Sequence, residues 1–369
     1  MKTANLNANT ALSSHKSCAP DAFNILRAVA ILCVFGLHAV ILSKAARPGT
    51  ILPAFLYTPA WLSMWMLFAL SGFLLGKRFY CHQYEGAKGS WNFICRRFKR
   101  LAPSYFFFLL IVLLFHNPLF FISNGWLLDL RLISFTYNGI PGIDGVGATW
   151  FVSTIMQLYV MLPFFYHFLL KKISVRYTLW VWGAIVLLGL GVRLVSTNLD
   201  WYVWTYTFSV ANLDIFLAPF VLNAFCITYT QDTSIRRWCR RISPVLLCGL
   251  IVFCTYCVYS NKYFAFYQRV CPSLALVLVS QFCYGFSAFG KNKLHLPVLL
   301  NRPLYLLDLF GVMSFSFYLY HSNVLCVLPK VLPPLSNTAY VWASVGGGGI
   351  LSLLTGFVMY RLIEHKEKN

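Results

Sequence analysis

Charged residues are scarce in this 369-residue chain: Asp, Glu, Lys and Arg together make up 11% of it, against about a quarter in ordinary soluble domains. The acids are the scarcest, since 10 Asp and Glu stand against 30 Lys and Arg, while apolar residues reach 59%. This composition excludes a water-soluble globule. The basic excess does not indicate nucleic acid either, because the cations cluster between apolar runs of about 20 residues, which is long enough to cross a bilayer.

The sequence also lacks the cysteine patterns of metal sites and disulfide frameworks. Most of its 12 cysteines lie inside apolar runs, and no Cys-x-x-Cys pair is matched by a second pair or by suitably spaced histidines. We therefore expect no metal site and no permanently bound cofactor, and interpret the cysteines as small packing residues.

Ten apolar runs predict an all-α, polytopic membrane fold. They cover about residues 24–44, 53–76, 101–121, 149–170, 178–195, 207–228, 244–260, 270–290, 304–328 and 340–363. Lys and Arg concentrate in every second segment between these runs, beginning with the one before the first. Since positive charge accumulates on the cytoplasmic side, we predict ten spans with both termini in the cytoplasm.

The predicted organisation is a single membrane domain, residues 24–364, between a polar leader, 1–23, and a short tail, 365–369. The first span is not expected to be a cleaved signal peptide, because Arg27 and His38 interrupt its apolar run. No stretch outside the spans is long enough to predict an appended soluble domain.

Those two residues are also the first candidates for function, because ionisable groups inside a membrane span are costly. Arg27 and His38 are eleven positions apart, so at about 100° per residue they share a helix face, roughly 16 Å apart along the axis. Taken singly, Arg27 is also explained as an anchor reaching the membrane surface, and His38 as a packing residue. Their shared face favours a functional interpretation.

A second candidate is the basic cluster before the third span. Arg97 and Arg100 are three residues apart and therefore adjacent on one helix face. Guanidinium groups can bind phosphate oxygens through two parallel hydrogen bonds, which lysine cannot do. The pair predicts a site for a phosphorylated cytosolic ligand, although an anchor for lipid head groups explains it equally well.

Polar residues inside later spans complete the candidates. His321 lies about 17 residues into its predicted span, at a depth similar to that of His38. The two histidines are predicted to flank a buried polar site, with Tyr318 nearby as a hydrogen-bond donor. Asp214, inside the sixth span, is either functional or a buried hydrogen-bond partner.

Six short motifs follow one another over nearly the whole chain. They run from Arg27 to His38, from Phe68 through Ser71 and Gly72 to Leu74, from Arg97 through Arg100 to Tyr105, from Trp150 through Gln157 to Pro163, from Ser314 through Tyr318 to His321, and from Tyr360 to Glu364. In this order they resemble the motifs of the acyltransferase 3 family of polytopic membrane acyltransferases, in its compact form without a hydrolase-like domain. One departure follows Ser153, where Ile155 and Met156 replace the glutamates of many relatives.

The resemblance implies transfer of an acyl group, usually acetyl from acetyl-CoA, to a hydroxyl of a carbohydrate or lipid-linked glycan, such as an O-antigen, capsule or exopolysaccharide unit, at a bacterial inner membrane. His38 would be the general base on that hydroxyl, or would carry the acyl group covalently. Arg97 and Arg100 would hold the CoA phosphates, and Arg27 would contact the same donor.

The resemblance also marks residues whose roles are less specific. Ser71 and Gly72 would line the donor channel, but a pair of small residues also serves helix packing. Trp150 and Gln157 belong to the fourth-span motif. Glu364 closes the last motif and would pair with a basic-loop arginine.

Two other functions fit the composition. A carrier or flippase for a lipid-linked glycan is the leading alternative, but such proteins often have repeated halves, and no convincing repeat is visible. An integral glycosyltransferase would need an acidic residue in a long outer loop, where only Asp129 and Asp144 are available.

Overall fold

The fold is known from a computed structural model, which describes residues 19–42, 56–112, 114, 126–138, 146–198, 206–288, 292–294, 297–333 and 335–364. Within these ranges the chain is helical, and the only extended pairing is an isolated antiparallel bridge between Asp21 and Lys293. The predicted all-α class is confirmed. The leader up to residue 18 and the tail from 365 lie outside the described residues.

The helices are named in chain order. They are α1 Ala22–Leu42, α2 Ala60–Tyr80, α3 Gly86–Ile111, α4 Trp126–Ile133, α5 Thr149–Phe168, α6 Thr178–Asn198, α7 Leu213–Thr228, α8 Ser234–Ser260, α9 Phe264–Arg269, α10 Cys271–Phe286, α11 Val298–Val312, α12 Ser314–Val331, α13 Asn337–Ala343 and α14 Gly349–Met359. A π-helical turn, Ser344–Gly348, joins α13 to α14, and a second one, Tyr360–Glu364, follows α14.

Seven of the described helical runs are long and apolar enough to cross a membrane. They are Ala22–Ile41, Ala60–Tyr80, Thr149–Lys172, Val175–Ser196, Val210–Thr228, Ser234–Ser260 and Thr338–Ile363. An eighth crossing is possible if the bent pair α11 and α12 forms one span. The protein is therefore an integral membrane protein, while the count of ten spans and the cytoplasmic termini remain predictions.

Two predicted spans differ in detail from the structure, and a third is described only in part. The ninth, 304–328, is not one straight helix, because α11 and α12 meet at 78°. At this bend the Ser314 hydroxyl donates to the Gly311 carbonyl at 2.8 Å, and such side-chain bonds compete with regular helix hydrogen bonding. The eighth span corresponds to α10, which has only 16 residues. The third, 101–121, is described only through α3 and a few residues beyond it.

Helix α2 lies at the centre of the bundle and packs closely on α7. A Cβ atom on Gly72 would overlap the carbonyl oxygen of Phe216, so only glycine lets the two backbones approach this far. On its other sides α2 contacts α1 and α10, and α1 in turn packs against α11 and α12. This arrangement brings α1, α2 and α12 together, although α12 is far from the other two in sequence.

Candidate functional site

A cavity of about 380 Å³ lies between α1, α2, α3, α5 and the bend that joins α11 to α12. Five cations line it: Arg27, Lys77, Arg78, Arg97 and Arg100. No carboxylate occurs among the described residues of its lining. A concave surface with charge of one sign attracts ligands of the opposite sign, so the cavity suits a ligand with several negative charges.

The cations concentrate toward one end of this cavity, and the other end is apolar. Along α2 the lining runs from Leu67 to Arg78, a rise of roughly 16 Å at 1.5 Å per residue. Lys77, Arg78 and Arg100 are exposed, so the cationic end is open. The opposite end is formed by Ile31, Leu67, Phe151 and Tyr318, all of which line the cavity; we call it the apolar end.

Arg97 is the most buried cation of the cavity, with 9% of its surface exposed. Its guanidinium carbon lies 5.4 Å from the centre of the Phe93 ring and 5.7 Å from that of Tyr159. These rings stabilise and orient the cation without neutralising it. Its Nε has no hydrogen-bond partner among the described residues. Since buried donors are normally paired, Arg97 is suited to bind the oxygen of a ligand.

Arg27 is oriented by two residues that sequence reasoning did not identify as part of the site. Its Nη1 donates to the Asn24 side-chain oxygen at 3.1 Å, and the Asn24 amide nitrogen donates to Asp308 at 2.7 Å. Because an amide has one acceptor and one donor end, the Asp308 carboxylate forces Asn24 to present its oxygen to Arg27. The partner of Arg27 is thus a neutral amide, which leaves its charge for a ligand.

The two predicted histidines form a direct hydrogen bond between α1 and α12. Nδ1 of His38 lies 2.7 Å from Nε2 of His321, and the two ring planes are tilted by only 8°. His321 is fully buried, whereas His38 is partly exposed. These residues, 283 positions apart in the sequence, are therefore in direct contact.

The surroundings of His321 determine which nitrogen of each ring carries the hydrogen. Nδ1 of His321 lies 2.5 Å from the Tyr318 carbonyl oxygen, which can only accept, so this nitrogen is the donor. Nε2 of a neutral His321 is then an acceptor, and His38 must donate to it through Nδ1. A neutral His38 consequently has its lone pair on Nε2, the form that a general base needs.

Tyr318 connects the histidine pair to the cavity. Of the described residues that line the cavity, none is a histidine, so only Arg27 of the first-span pair reaches it. Tyr318 lines the apolar end, and its ring centre is 5.7 Å from that of His321. Its hydroxyl donates to the Ala148 carbonyl at 2.7 Å, so the predicted donor is engaged with the backbone.

The remaining motif residues separate into lining and packing positions. Ser71 lines the cavity, whereas Gly72 serves the close contact with α7. Trp150 packs among aromatic rings, and its ring centre lies 4.5 Å from that of Tyr206. Gln157 donates to the Phe135 carbonyl and to Asn138, at 2.8 and 2.9 Å, and so holds the segment after α4.

Of the two acidic candidates, Asp214 lies apart from the cavity lining. Asp214 accepts two hydrogen bonds from Arg193, at 2.8 and 2.7 Å, in a nearly buried ion pair between α6 and α7. Removing two charges from water is costly, and each partner needs the other there. Of the two interpretations of Asp214, the structure therefore favours the buried hydrogen-bond partner, here of Arg193. The side chain of Glu364 lies outside the described residues.

Several cavity residues were not identified from the sequence. Lys77 and Arg78 looked like part of the cytoplasmic basic loop, although they end the same helix that carries Ser71. Tyr159 lies eight residues, about two turns, after Phe151, and this spacing was the available signal for a shared helix face. No group of His, Cys, Asp or Glu that could hold a metal ion occurs in the described part of the chain.

Fold and site together define a polytopic helical membrane protein with a cationic cavity beside a buried histidine pair. The family model described as "Acyltransferase domain", that of acyltransferase 3, matches residues 21–361. The chain belongs to the acyltransferase 3 family and is a membrane acyltransferase, which favours an enzyme over a carrier. No curated protein and no solved structure matches it.

Proposed function

We propose that the protein transfers an acetyl group from acetyl-CoA to a hydroxyl of a cell-surface carbohydrate, at the inner membrane of a bacterium. The observation that carries the proposal is a cavity with five cations at one end and, at the other, a tyrosine in ring contact with a hydrogen-bonded histidine pair. Phosphate recognition and the proton acceptor are thus linked through Tyr318, which lines the cavity and contacts the ring of His321.

The donor would enter from the cationic end. The phosphates of CoA carry the negative charges that this end lacks, and Arg97 and Arg100 offer the guanidinium groups that suit them. The pantetheine arm would follow the roughly 16 Å from Arg78 to Leu67. The thioester would then reach the apolar end beside Tyr318, whose ring contacts that of His321.

The chemistry assigns His38 as the catalytic base and His321 as a positioning residue. Nε2 of His38 takes the proton of the acceptor hydroxyl while the hydroxyl oxygen attacks the thioester carbonyl. The new C–O bond forms, the C–S bond breaks, and the CoA sulfur receives the proton back from His38. Nε2 of His321 accepts from His38 throughout and stabilises its cationic form.

A covalent route uses the same atoms. Nε2 of His38 would attack the thioester carbonyl and CoA would leave as the thiolate; the acceptor hydroxyl would then attack the acyl carbon, the N–C bond to the imidazole would break, and the hydroxyl proton would pass to the CoA thiolate. The arrangement of His38 and His321 is compatible with both routes, because each needs the lone pair on the same nitrogen. The carbohydrate acceptor rests on the motif resemblance to the family.

The test uses the full chain in native membranes supplied with isotope-labelled acetyl-CoA, with mass spectrometry of the extracted glycans. His38→Ala should lower acetylation by about 10²- to 10⁴-fold, the usual contribution of a general base, at unchanged protein abundance. The matched control is His167→Ala, because His167 binds Ser90 and does not line the cavity. Wild-type membranes that leave the glycans without label would refute the proposal.

A further inference from the structure

The apolar end of the cavity is closed by two packed aromatic side chains. Phe151 and Tyr318 both line it and are 8% and 2% exposed. Their ring centres are 5.2 Å apart, with planes at 65°, an edge-to-face contact that is favourable for aromatic pairs. Any group that reaches this end from the cationic end meets this wall.

Both rings are held in place by residues behind them. Phe151 stacks on Phe68, with centres 4.9 Å apart and planes at 25°. Tyr318 is tied to the start of α5 by its hydrogen bond to the Ala148 carbonyl. Buried side chains packed in this way leave little free volume, and adding even one methylene group to such a site is unfavourable. The wall therefore sets a limit on the length of a group that ends there.

The size of the cavity agrees with this limit. Its volume of about 380 Å³ is near the lower end of the roughly 300–1,000 Å³ found for ligand sites. Part of this volume belongs to the cationic end, which must hold phosphates. Little room then remains near Phe151 for an alkyl chain.

We infer that Phe151 is a specificity-determining residue that restricts the donor to short acyl groups, of the size of acetyl. The inference rests on the proposed function, because it places the acyl group at the apolar end. Tyr318 is less suited to change in size between relatives of different donor selectivity, because its carbonyl keeps the hydrogen of His321 on Nδ1. The ring of Phe151 instead packs against Trp150, Phe68 and Tyr318 and contacts neither histidine.

The experiment compares acetyl-CoA, butyryl-CoA and hexanoyl-CoA as donors for the wild type, Phe151→Leu and Phe151→Ala. Membranes carrying the full chain are used, and CoA release is measured for the part that depends on His38. Since one misfitting methylene is worth about 10- to 200-fold in selectivity, the wild type should prefer acetyl to hexanoyl by at least tenfold. Phe151→Ala should shift that ratio toward hexanoyl by tenfold or more.

A matched control separates selectivity from damage. Phe282 is also buried, contacts Phe286 at 4.6 Å and does not line the cavity. Phe282→Ala should slow all donors alike and leave their ratio unchanged. If Phe151→Ala does not accumulate, the smaller change in Phe151→Leu supplies the ratio.

The outcomes distinguish this inference from the proposed function. Equal use of acetyl and hexanoyl donors by the wild type, or an unchanged ratio in both Phe151 variants, overturns the role of Phe151 and leaves acyl transfer intact. Absence of any His38-dependent use of acyl-CoA by the wild type overturns both.

Discussion

Replacing His321 tests how the histidine pair works. His321→Ala removes the acceptor that lies 2.7 Å from Nδ1 of His38 and leaves the cavity lining unchanged. A hydrogen bond to a charged group is worth about 1.5–3 kcal/mol, and each 1.4 kcal/mol is a factor of about ten. Because the bond strengthens when His38 becomes cationic, we expect kcat to fall by roughly 10- to 150-fold.

The assay for His321 separates binding from chemistry. KM for acetyl-CoA should stay within a factor of about two, since no phosphate-binding residue is altered, whereas kcat carries the loss. His321→Gln keeps an oxygen near the position of Nε2 and should recover part of the rate. A wild-type kcat in His321→Ala, or a loss confined to KM, would show that the pair does not act in the chemical step.

Two further predictions concern the cationic end. Arg97→Lys should raise KM for acetyl-CoA by about tenfold at unchanged kcat, because lysine keeps the charge but loses the planar stacking between Phe93 and Tyr159; initial rates across donor concentrations check this, and an unchanged KM contradicts it. Asp308→Ala should raise the same KM by roughly two- to tenfold, the worth of one ordinary hydrogen bond, because the Asn24 amide can then turn its nitrogen toward Arg27. Asp308→Asn retains an acceptor and should behave as the wild type, and equal KM values for both Asp308 variants would refute this positioning role.

The candidate site was predictable where its residues share one helix. Arg97 and Arg100 both line the cavity, as their spacing of three suggested. Ser71 and Gly72 show where the same reasoning stops, since one lines the cavity and its neighbour packs on α7. From the sequence, each of the two residues could either line a donor channel or serve helix packing. The choice depended on α7, which is distant in sequence.

Contacts between distant segments were not predictable in this way. The bond from Asn24 to Asp308 spans 284 positions, and nothing in either local sequence indicates the partner. Asp214 had two equal interpretations until Arg193 was found beside it. Lys77 and Arg78 look like any cytoplasmic basic loop, and only the bundle shows that they face the same space as Arg97.

The sequence by itself determined that this chain is a helical membrane protein, because the low share of charge and the long apolar runs have no other stable solution in water or lipid. It also determined which polar residues lie on one helix face, because the α-helical repeat acts within a segment. The tertiary structure alone decided that His38 donates to His321 and that Phe151 closes the cavity. Those contacts depend on how separate helices pack and on the 78° bend before α12, and no local periodicity encodes them.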